Sequence, residues 1–250
     1  MANNVIDLYL NLLKDSLTNL TYIEFEEGSL DAEAQSVRRK KRYNGRDWPP
    51  FAVSMVGLPR LNNIQTCVEH IIEEDIPGDL LEAGTWRGGA SIFMRGLLAA
   101  YGIFDRSVWV ADSFEGLPRP KVDIYPQDSG SRLHERAQLR VSLEEVKANF
   151  RRYRLLDEHV KFIKGFFSDT LPTAPVEQLA LLRLDGDMYE STLVSLDNLY
   201  DKLSPGGFVI VDDYFCLHSC QDAVDDFLRA NHVVPEIKRI DWTGVYWQKT

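Results

Sequence analysis

Acidic side chains follow two apolar segments in the second half of the sequence. Asp185 and Asp187 come directly after one segment, and Asp212 and Asp213 come directly after the next. Carboxylates that lie close together raise each other's pKa unless a cation lies between them. Oxygen ligands select a hard cation such as Mg²⁺, Ca²⁺ or Mn²⁺ over zinc. The pattern predicts a metal site, although a helix cap also explains any single aspartate here.

A glycine-rich turn follows the first apolar segment of the same region, between Glu82 and Ser91. Its Gly-x3-Gly-Gly spacing differs from the Gly-x-Gly-x-x-Gly pattern that binds dinucleotides. Glycines allow a tight turn and let the backbone approach a ligand closely. The Glu82 carboxylate would repel a phosphate but suits an ammonium or sulfonium group. A purely structural turn is the alternative interpretation.

Another acidic residue, Asp112, ends the second apolar segment. At this place in a strand–helix repeat, a carboxylate can accept hydrogen bonds from both hydroxyls of a ribose. The chain between Gly84 and Asp112 is long enough for one helix. Together with Glu82, Asp112 favours an adenosyl ligand without a pyrophosphate, and a helix cap is again the alternative.

The order of apolar and amphipathic segments predicts how these residues come together. Short apolar segments separated by segments of helical periodicity are typical of a parallel sheet covered by helices on both faces. Ligands of such sheets bind beyond the carboxyl ends of the strands, where all the acidic residues above lie. Predicted strands are 80–81, 108–111, 160–163, 179–184 and 208–211, and predicted helices are 90–101, 143–153, 192–203 and 221–230.

The C-terminal end departs from this repeat. Residues 237–240 and 245–247 are separated by too few residues for a helix. Because a parallel crossover needs roughly a dozen residues or more, the two segments predict an antiparallel hairpin.

The N-terminal end predicts a helical extension of this single α/β domain. Apolar residues recur at helical spacing over the first twenty residues. The charged segment 24–50 is interpreted as a solvated helix face or loop, with a mobile flap as the alternative. A further helix is predicted to begin at Asn62 or Asn63, whose side chains are good helix caps.

Composition limits the class of protein. The 250 residues carry a formal net charge of −10, which argues against a nucleic-acid partner because phosphate binding needs a positive surface. Three cysteines are too few for a disulfide framework, so a cytoplasmic location is expected. No apolar run reaches the roughly 18 residues of a membrane span, and the N-terminus lacks the apolar run of a signal peptide. Base rates favour a homo-oligomer, although the sequence leaves the oligomeric state open.

Many ordered segments resemble the macrocin O-methyltransferase family, metal-dependent S-adenosylmethionine enzymes that methylate antibiotic sugars, and deoxysugar methyltransferases of the mycinamicin type in particular. The resemblance runs from about Asp47 to the end of the chain. The segments that carry it are Asp47-Trp48-Pro49, Ser54 to Asn63, Pro77 to Gly89, Val110 to Gly116, Asp185-Gly186-Asp187, Leu203 to Gly207, Val211 to Tyr214 and Gly244 to Trp247.

The resemblance implies a Rossmann-like class I methyltransferase fold. Its seven-stranded, mostly parallel sheet ends in an antiparallel strand, which agrees with the terminal hairpin. Residues 1–60 are assigned to an N-terminal helical extension and lid, and residues 61–250 to the S-adenosylmethionine-dependent methyltransferase domain.

The resemblance also implies a site. Asp185, Asp212 and Asp213 are expected to hold Mg²⁺, and Asp187 to act as general base. Histidine replaces this base in some relatives, so His134 is kept as a minor alternative. The residues expected to bind S-adenosylmethionine are Met55, Glu82, Gly84, Thr85, Ser91, Asp112, Ser113, Phe167, Ser168 and Asp185.

The expected reaction is methyl transfer from S-adenosylmethionine to a deoxysugar hydroxyl of a macrolide-like natural product. The metal would chelate adjacent acceptor oxygens while Asp187 removes the proton. Alternative acceptors are a free sugar, a lipid-linked glycan, or a non-sugar vicinal diol or phenol. An NAD-dependent oxidoreductase shares the glycine turn but gives the aspartates no purpose, and a non-catalytic adenosyl-binding scaffold is the third class. Candidates for an aromatic acceptor wall are Trp48, Tyr125, Tyr214 and Phe215.

Overall fold

A seven-stranded sheet forms the centre of the structure, a computed structural model that describes residues 2–26 and 31–250. The strands are β1 Asp79–Ala83, β2 Val108–Asp112, β3 Val160–Lys164, β4 Leu179–Leu184, β5 Leu203–Val211, β6 Lys238–Arg239 and β7 Val245–Gln248. Their order across the sheet is β3-β2-β1-β4-β5-β7-β6. The first five strands are parallel, while β7 runs antiparallel to both β5 and β6. The predicted mostly parallel sheet with a terminal antiparallel hairpin is confirmed.

Helices cover both faces of this sheet. They are α1 Ala2–Leu17, α2 Ala32–Tyr43, α3 Leu58–Glu73, α4 Gly89–Ala100, α5 Leu143–Arg152, α6 Phe167–Thr170, α7 Tyr189–Leu199 and α8 His218–Ala230. Among the described residues, no helix combines the length and apolar character that a bilayer span requires.

Several helix boundaries differ from the sequence prediction. Helix α3 begins at Leu58 after an extended Gly57, so the predicted start at Asn62 or Asn63 is wrong. Pro59 fits the first turn because its missing N–H needs no partner there. Helix α7 spans Tyr189–Leu199 rather than 192–203, and helix α8 begins at His218 rather than at residue 221. The segment 24–50 contains the twelve-residue helix α2, which agrees with the interpretation as a solvated helix.

Strand alternation sorts the side chains onto two apolar faces. Leu80 and Leu181 pack into the layer that also holds α3 and α4, whereas Leu81 and Leu182 pack into the layer that holds α7 and α8. Helix α1 joins the first layer through its buried leucines, which lie against α4. Because side chains alternate with a period of two, the residues that end each strand are assigned to a face by the same pattern.

The strand order reverses between β1 and β4, so the carboxyl ends of these two neighbours form the switch point of the sheet. In open α/β sheets this is where ligands bind. Gly84 follows β1 with φ +92°, and a Cβ at this position would collide with the Asp185 carbonyl oxygen after β4. A glycine is therefore needed where the segments that follow β1 and β4 lie close together.

We expect Gly84→Ala to lower the free energy of unfolding more than Gly102→Ala does. Both glycines have positive φ, +92° and +70°, a conformation that costs an L-residue roughly 1–2 kcal/mol. A Cβ at Gly102 would meet no atom of the described residues within 4 Å, whereas a Cβ at Gly84 meets backbone. Urea unfolding of both variants measures the difference, and equal losses would contradict the close approach at the switch point.

Candidate active site

A cavity of about 530 Å³ opens at the carboxyl ends of the parallel strands. This volume lies within the roughly 300–1,000 Å³ that is typical of small-molecule sites. The predicted site residues that line it are Met55, Glu82, Gly84, Thr85, Asp112, Ser113, Phe167, Ser168, Asp185, Asp187, Asp212 and Asp213. Ser91 is the exception, because it is fully buried behind this lining.

The glycine turn after β1 forms one end of the cavity. The Thr85 N–H donates a hydrogen bond to Asp112 Oδ2 at 2.8 Å, and the Thr85 hydroxyl donates to Glu82 Oε2 at 3.1 Å. The Ser91 hydroxyl donates to the same Glu82 oxygen. Ser91 therefore supports the lining from behind: it holds the Glu82 carboxylate in place, and its hydroxyl lies 3.4 Å from the Thr85 hydroxyl.

Asp112 is oriented by backbone amides from two loops. Besides Thr85, the Phe114 N–H donates to its Oδ1 at 2.7 Å. The alternative interpretation as a helix cap is wrong, since the next helical turn begins only at Pro126. The Ser113 hydroxyl lies 3.4 Å from Oδ1 but is 2.6 Å from the Gly116 carbonyl, to which it donates. Since each carboxylate oxygen carries two lone pairs, Asp112 keeps the capacity to accept a hydrogen bond from a ligand.

Three aspartates meet beyond β4 and β5. Asp185, Asp212 and Asp213 each offer a carboxylate oxygen within 4.8 Å of the other two. Asp213 is only 9% exposed, and its Oδ2 has no hydrogen-bond partner among the described residues. Burial and the neighbouring carboxylates of Asp187 and Asp185 raise the pKa of Asp213 well above its usual range. Because an unpaired buried carboxylate is costly, this donor set fits a cation.

Two buried arginines, neither of which was predicted from the sequence to have a role, contact the same cluster. Arg183 donates to Asp185 Oδ2 at 2.9 Å and also to Glu82 and Asp212. Arg60 of α3 donates to the other oxygen of Asp212. Glu82 and Arg183 are register partners in the sheet, so their side chains lie side by side on the face covered by α3.

The arginines leave negative charge in excess. Six carboxylates meet two guanidinium groups, namely those of Glu82, Asp185, Asp187, Asp212, Asp213 and Asp241, the last of which pairs with Arg60 at 3.2 Å. Within the described part of the chain, neither arginine forms a hydrogen bond or ion pair with Asp187 or Asp213. A divalent cation would offset the remaining repulsion.

Asp187 faces the cavity without a partner. Its carboxylate accepts no hydrogen bond from any described residue, and its backbone has φ +60°. Burial, followed by the charges of Asp185 and Asp212, raises the pKa of Asp187 to about 8. A carboxyl group with a pKa near neutrality is suited to proton transfer.

The remaining candidates divide between cavity and scaffold. Trp48 lines the cavity, as does Trp242, which the sequence analysis missed and whose indole N–H donates to the Asn44 carbonyl at 2.8 Å. His134 does not line the cavity. Tyr214 donates its hydroxyl to Asp225 at 2.8 Å, and neither it, Tyr125 nor Phe215 belongs to the lining.

Comparison with known proteins gives one consistent family. The family described as Macrocin-O-methyltransferase (TylF) matches residues 6–249. The 8-demethyl-8-(2,3-dimethoxy-alpha-L-rhamnosyl)-tetracenomycin-C 4'-O-methyltransferase of Streptomyces olivaceus is 50% identical, over 100% of this chain and 95% of the relative. The demethyldecarbamoylnovobiocin O-methyltransferase of Streptomyces niveus is 49% identical, over 100% and 96%. The mycinamicin III 3''-O-methyltransferase of Micromonospora griseorubida is 47% identical, over 98% and 97%.

Solved structures agree with the sequence comparison. The O-methyltransferase NovP superposes with a TM-score of 0.91 at 50% identity, covering 98% of this chain and 99% of that chain. A calicheamicin methyltransferase at 16% identity and a TM-score of 0.62, covering 97% and 91% of the two chains, shares the fold. The predicted class I methyltransferase fold is confirmed, and these relatives favour a methyltransferase over the alternative of an NAD-dependent oxidoreductase. The chain belongs to the macrocin O-methyltransferase family and is an O-methyltransferase.

Proposed function

We propose that the chain methylates a hydroxyl group on a deoxysugar of a glycosylated natural product, with S-adenosylmethionine as donor and Mg²⁺ as metal. The observation that carries the proposal is the aspartate cluster, which lies in the same cavity as the glycine turn and beside an unpartnered carboxyl group. The three curated relatives are, by name, O-methyltransferases of a rhamnosyl tetracenomycin, a demethyldecarbamoylnovobiocin and mycinamicin III.

The glycine-turn end of the cavity suits the donor. Glu82 brings a negative charge toward the ammonium group of the methionine portion, although its carboxylate already accepts hydrogen bonds from Arg183, Thr85 and Ser91. Burial raises the pKa of Glu82 to about 7, against the opposing effect of Arg183. Asp112 retains acceptor capacity for the ribose hydroxyls. The remaining proposed contacts come from Met55, Gly84, Thr85, Ser113, Phe167, Ser168 and Asp185.

The other end suits the metal and the acceptor. Asp185, Asp212 and Asp213 would hold Mg²⁺, which when bound supplies a Lewis acid that lowers the pKa of an acceptor hydroxyl and orients the acceptor. Arg60 and Arg183 hold both oxygens of Asp212, so that carboxylate is fixed in orientation.

Asp187 would take the proton from the acceptor hydroxyl. Its carboxylate is free of protein hydrogen bonds in the described structure and lines the cavity next to the aspartate cluster. A positioned general base contributes roughly 10²–10⁴ to the rate of such a step. Methyl transfer then needs only alignment of the donor with the acceptor oxygen, which the rigid strand ends supply.

Four further expectations from the sequence stay predictions. They are the division into an extension and lid at residues 1–60 and a methyltransferase domain at residues 61–250, the homo-oligomer, the absence of a nucleic-acid partner and the cytoplasmic location.

Calorimetry should show binding of S-adenosylmethionine and none of NAD, because the turn lacks the glycine spacing that binds a pyrophosphate. Asp112→Asn should weaken S-adenosylmethionine binding about tenfold or more, since hydrogen bonds to charged groups contribute about 1.5–3 kcal/mol. Asp222→Asn is the matched control, because Asp222 is exposed on α8 and does not line the cavity. Unchanged affinity of Asp112→Asn would remove Asp112 from the donor site.

Methyl transfer should depend on a divalent cation. We expect product with at least one of three acceptors, demethyldecarbamoylnovobiocin, mycinamicin III and the rhamnosyl tetracenomycin, in the presence of Mg²⁺. EDTA should abolish product formation and added Mg²⁺ should restore it, as followed by mass spectrometry. Calorimetric titration with Mg²⁺ should show weaker binding for Asp213→Asn, which removes a charge from the ligand set. Full activity in EDTA would exclude the metal.

Asp187→Asn should reduce kcat by roughly 10²–10⁴ because the amide cannot accept the proton. The affinity for S-adenosylmethionine should change less than about twofold, since its proposed contacts lie elsewhere in the cavity. Steady-state kinetics and calorimetry measure the two quantities. Asp197→Asn is the control, an exposed aspartate on the helix that follows. A wild-type kcat for Asp187→Asn would assign the base to another group.

A further inference from the structure

A segment between β2 and α5 covers part of the cavity. Within residues 117–140, Leu117, Pro118, Leu133 and Leu139 line it. The segment contains a short 3₁₀ helix, Pro126–Asp128. Asp128, at the end of this helix, is only 1% exposed, although it belongs to a largely exposed and polar stretch of chain.

Asp128 caps a helix that lies far away in the sequence. Its Oδ1 accepts a hydrogen bond from the Tyr189 N–H at 2.7 Å, and its Oδ2 accepts one from the Glu190 N–H at 3.1 Å. These are the first N–H groups of α7, which have no partner within a helix. A helix usually takes this acceptor from the preceding residue, but Met188 has no oxygen in its side chain and makes no such bond.

The capped helix begins two residues after Asp187. Asp187 has the left-handed φ of +60°, which is uncommon for a residue with a side chain and persists only where the surroundings impose it. The Met188 N–H closes the turn by donating to the Gly186 carbonyl at 2.6 Å. The turn is fixed on one side by the end of β4 and on the other by the first residues of α7.

The covering segment and the start of α7 are also joined by side chains. Lys121 donates to Glu190 Oε1 at 2.6 Å, and the rings of Tyr125 and Tyr189 lie 5.9 Å apart. The segment that borders the cavity is thus attached directly to the residues that follow the turn.

We propose that Asp128 is a positioning residue: by capping α7 it holds the Asp187 carboxylate in place and couples that placement to the segment that covers part of the cavity. This inference rests on the proposed function, in which Asp187 is the base. It assigns Asp128 no contact with donor, metal or acceptor. An acceptor that packs against the covering segment would affect the position of Asp187 through this cap.

The test compares Asp128→Ala and Asp128→Asn with the wild-type chain, using demethyldecarbamoylnovobiocin and mycinamicin III as acceptors. We expect Asp128→Ala to lower kcat roughly 10- to 100-fold, because a base displaced by about 1 Å can cost about 10²-fold. KM and the calorimetric affinity for S-adenosylmethionine should change less than about threefold. Asp128→Asn should recover part of kcat, since its carbonyl oxygen can still accept one of the two N–H groups.

The control is Asp123→Ala, which removes an exposed carboxylate from the same segment and should leave kcat unchanged. Hydrogen exchange of peptides that cover the start of α7 gives a readout without turnover, and exchange should be faster in Asp128→Ala. A wild-type kcat in folded Asp128→Ala would overturn the proposal. Parallel losses of kcat, cofactor affinity and thermal stability would also overturn it, because they indicate a general structural role.

A double substitution separates this inference from the proposed function. If Asp128 acts through Asp187, Asp128→Ala should have little further effect on kcat in the Asp187→Asn background. If the loss of kcat in the double variant is instead the product of the losses in the two single variants, the positioning role is overturned. If Asp187→Asn alone has wild-type kcat, the proposed base fails, whereas faster exchange at the start of α7 would still identify the cap.

Discussion

Repulsion between carboxylates at the strand ends is the constraint on which the site depends. Sheet topology brings together acidic residues at the carboxyl ends of three strands, β1, β4 and β5, and burial removes the water that would screen them. Arg183 and Arg60 offset part of the repulsion, and Asp212 accepts hydrogen bonds from both. Asp213 and Asp187 stay outside this network. Burial and the neighbouring carboxylates therefore raise the pKa of both groups beside the cavity, which is where a cation and a proton acceptor have a use.

The sequence predicted the fold well where periodicity decides the structure. Buried strands are apolar on both faces, and the helices between them are amphipathic, so the parallel sheet and the final hairpin follow from local pattern. The start of α3 could not be predicted from local pattern. Gly57, which precedes the helix, has no side chain that could signal a cap, and the asparagines that suggested a cap lie inside the helix. The sequence left open whether the α2 segment forms a helix or a loop, because its surface is mostly charged. Its buried Arg42 pairs with Glu26 and Asp47, which only the folded chain shows.

Most of the candidate site could be predicted because its residues follow strands directly. The missed residues act across long sequence separations. Arg183 did carry a signal, as the only charged residue within the apolar segment of β4, fully buried in the fold. Arg60, Trp242 and Asp128 carried none, because their contacts with Asp212, Asn44 and the start of α7 depend on how distant elements pack. Ser91, by contrast, was predicted from its position in the turn to contact the ligand. In the structure its hydroxyl instead donates to Glu82.

The cavity wall consists of strand ends and of covering pieces, which are held in different ways and have different roles. Strand ends supply the charged residues, and the sheet fixes them through paired backbone and buried ion pairs. The covering pieces, residues 45–56 and 117–140, lack sheet pairing and are attached at a few points, mostly through side chains. Arg87 holds the first piece by donating to the carbonyls of Pro49, Pro50 and Ala52, and Asp128 holds the second. A wall attached at a few points can change its sequence, and hence the acceptor it fits, without moving the carboxylates that do the chemistry.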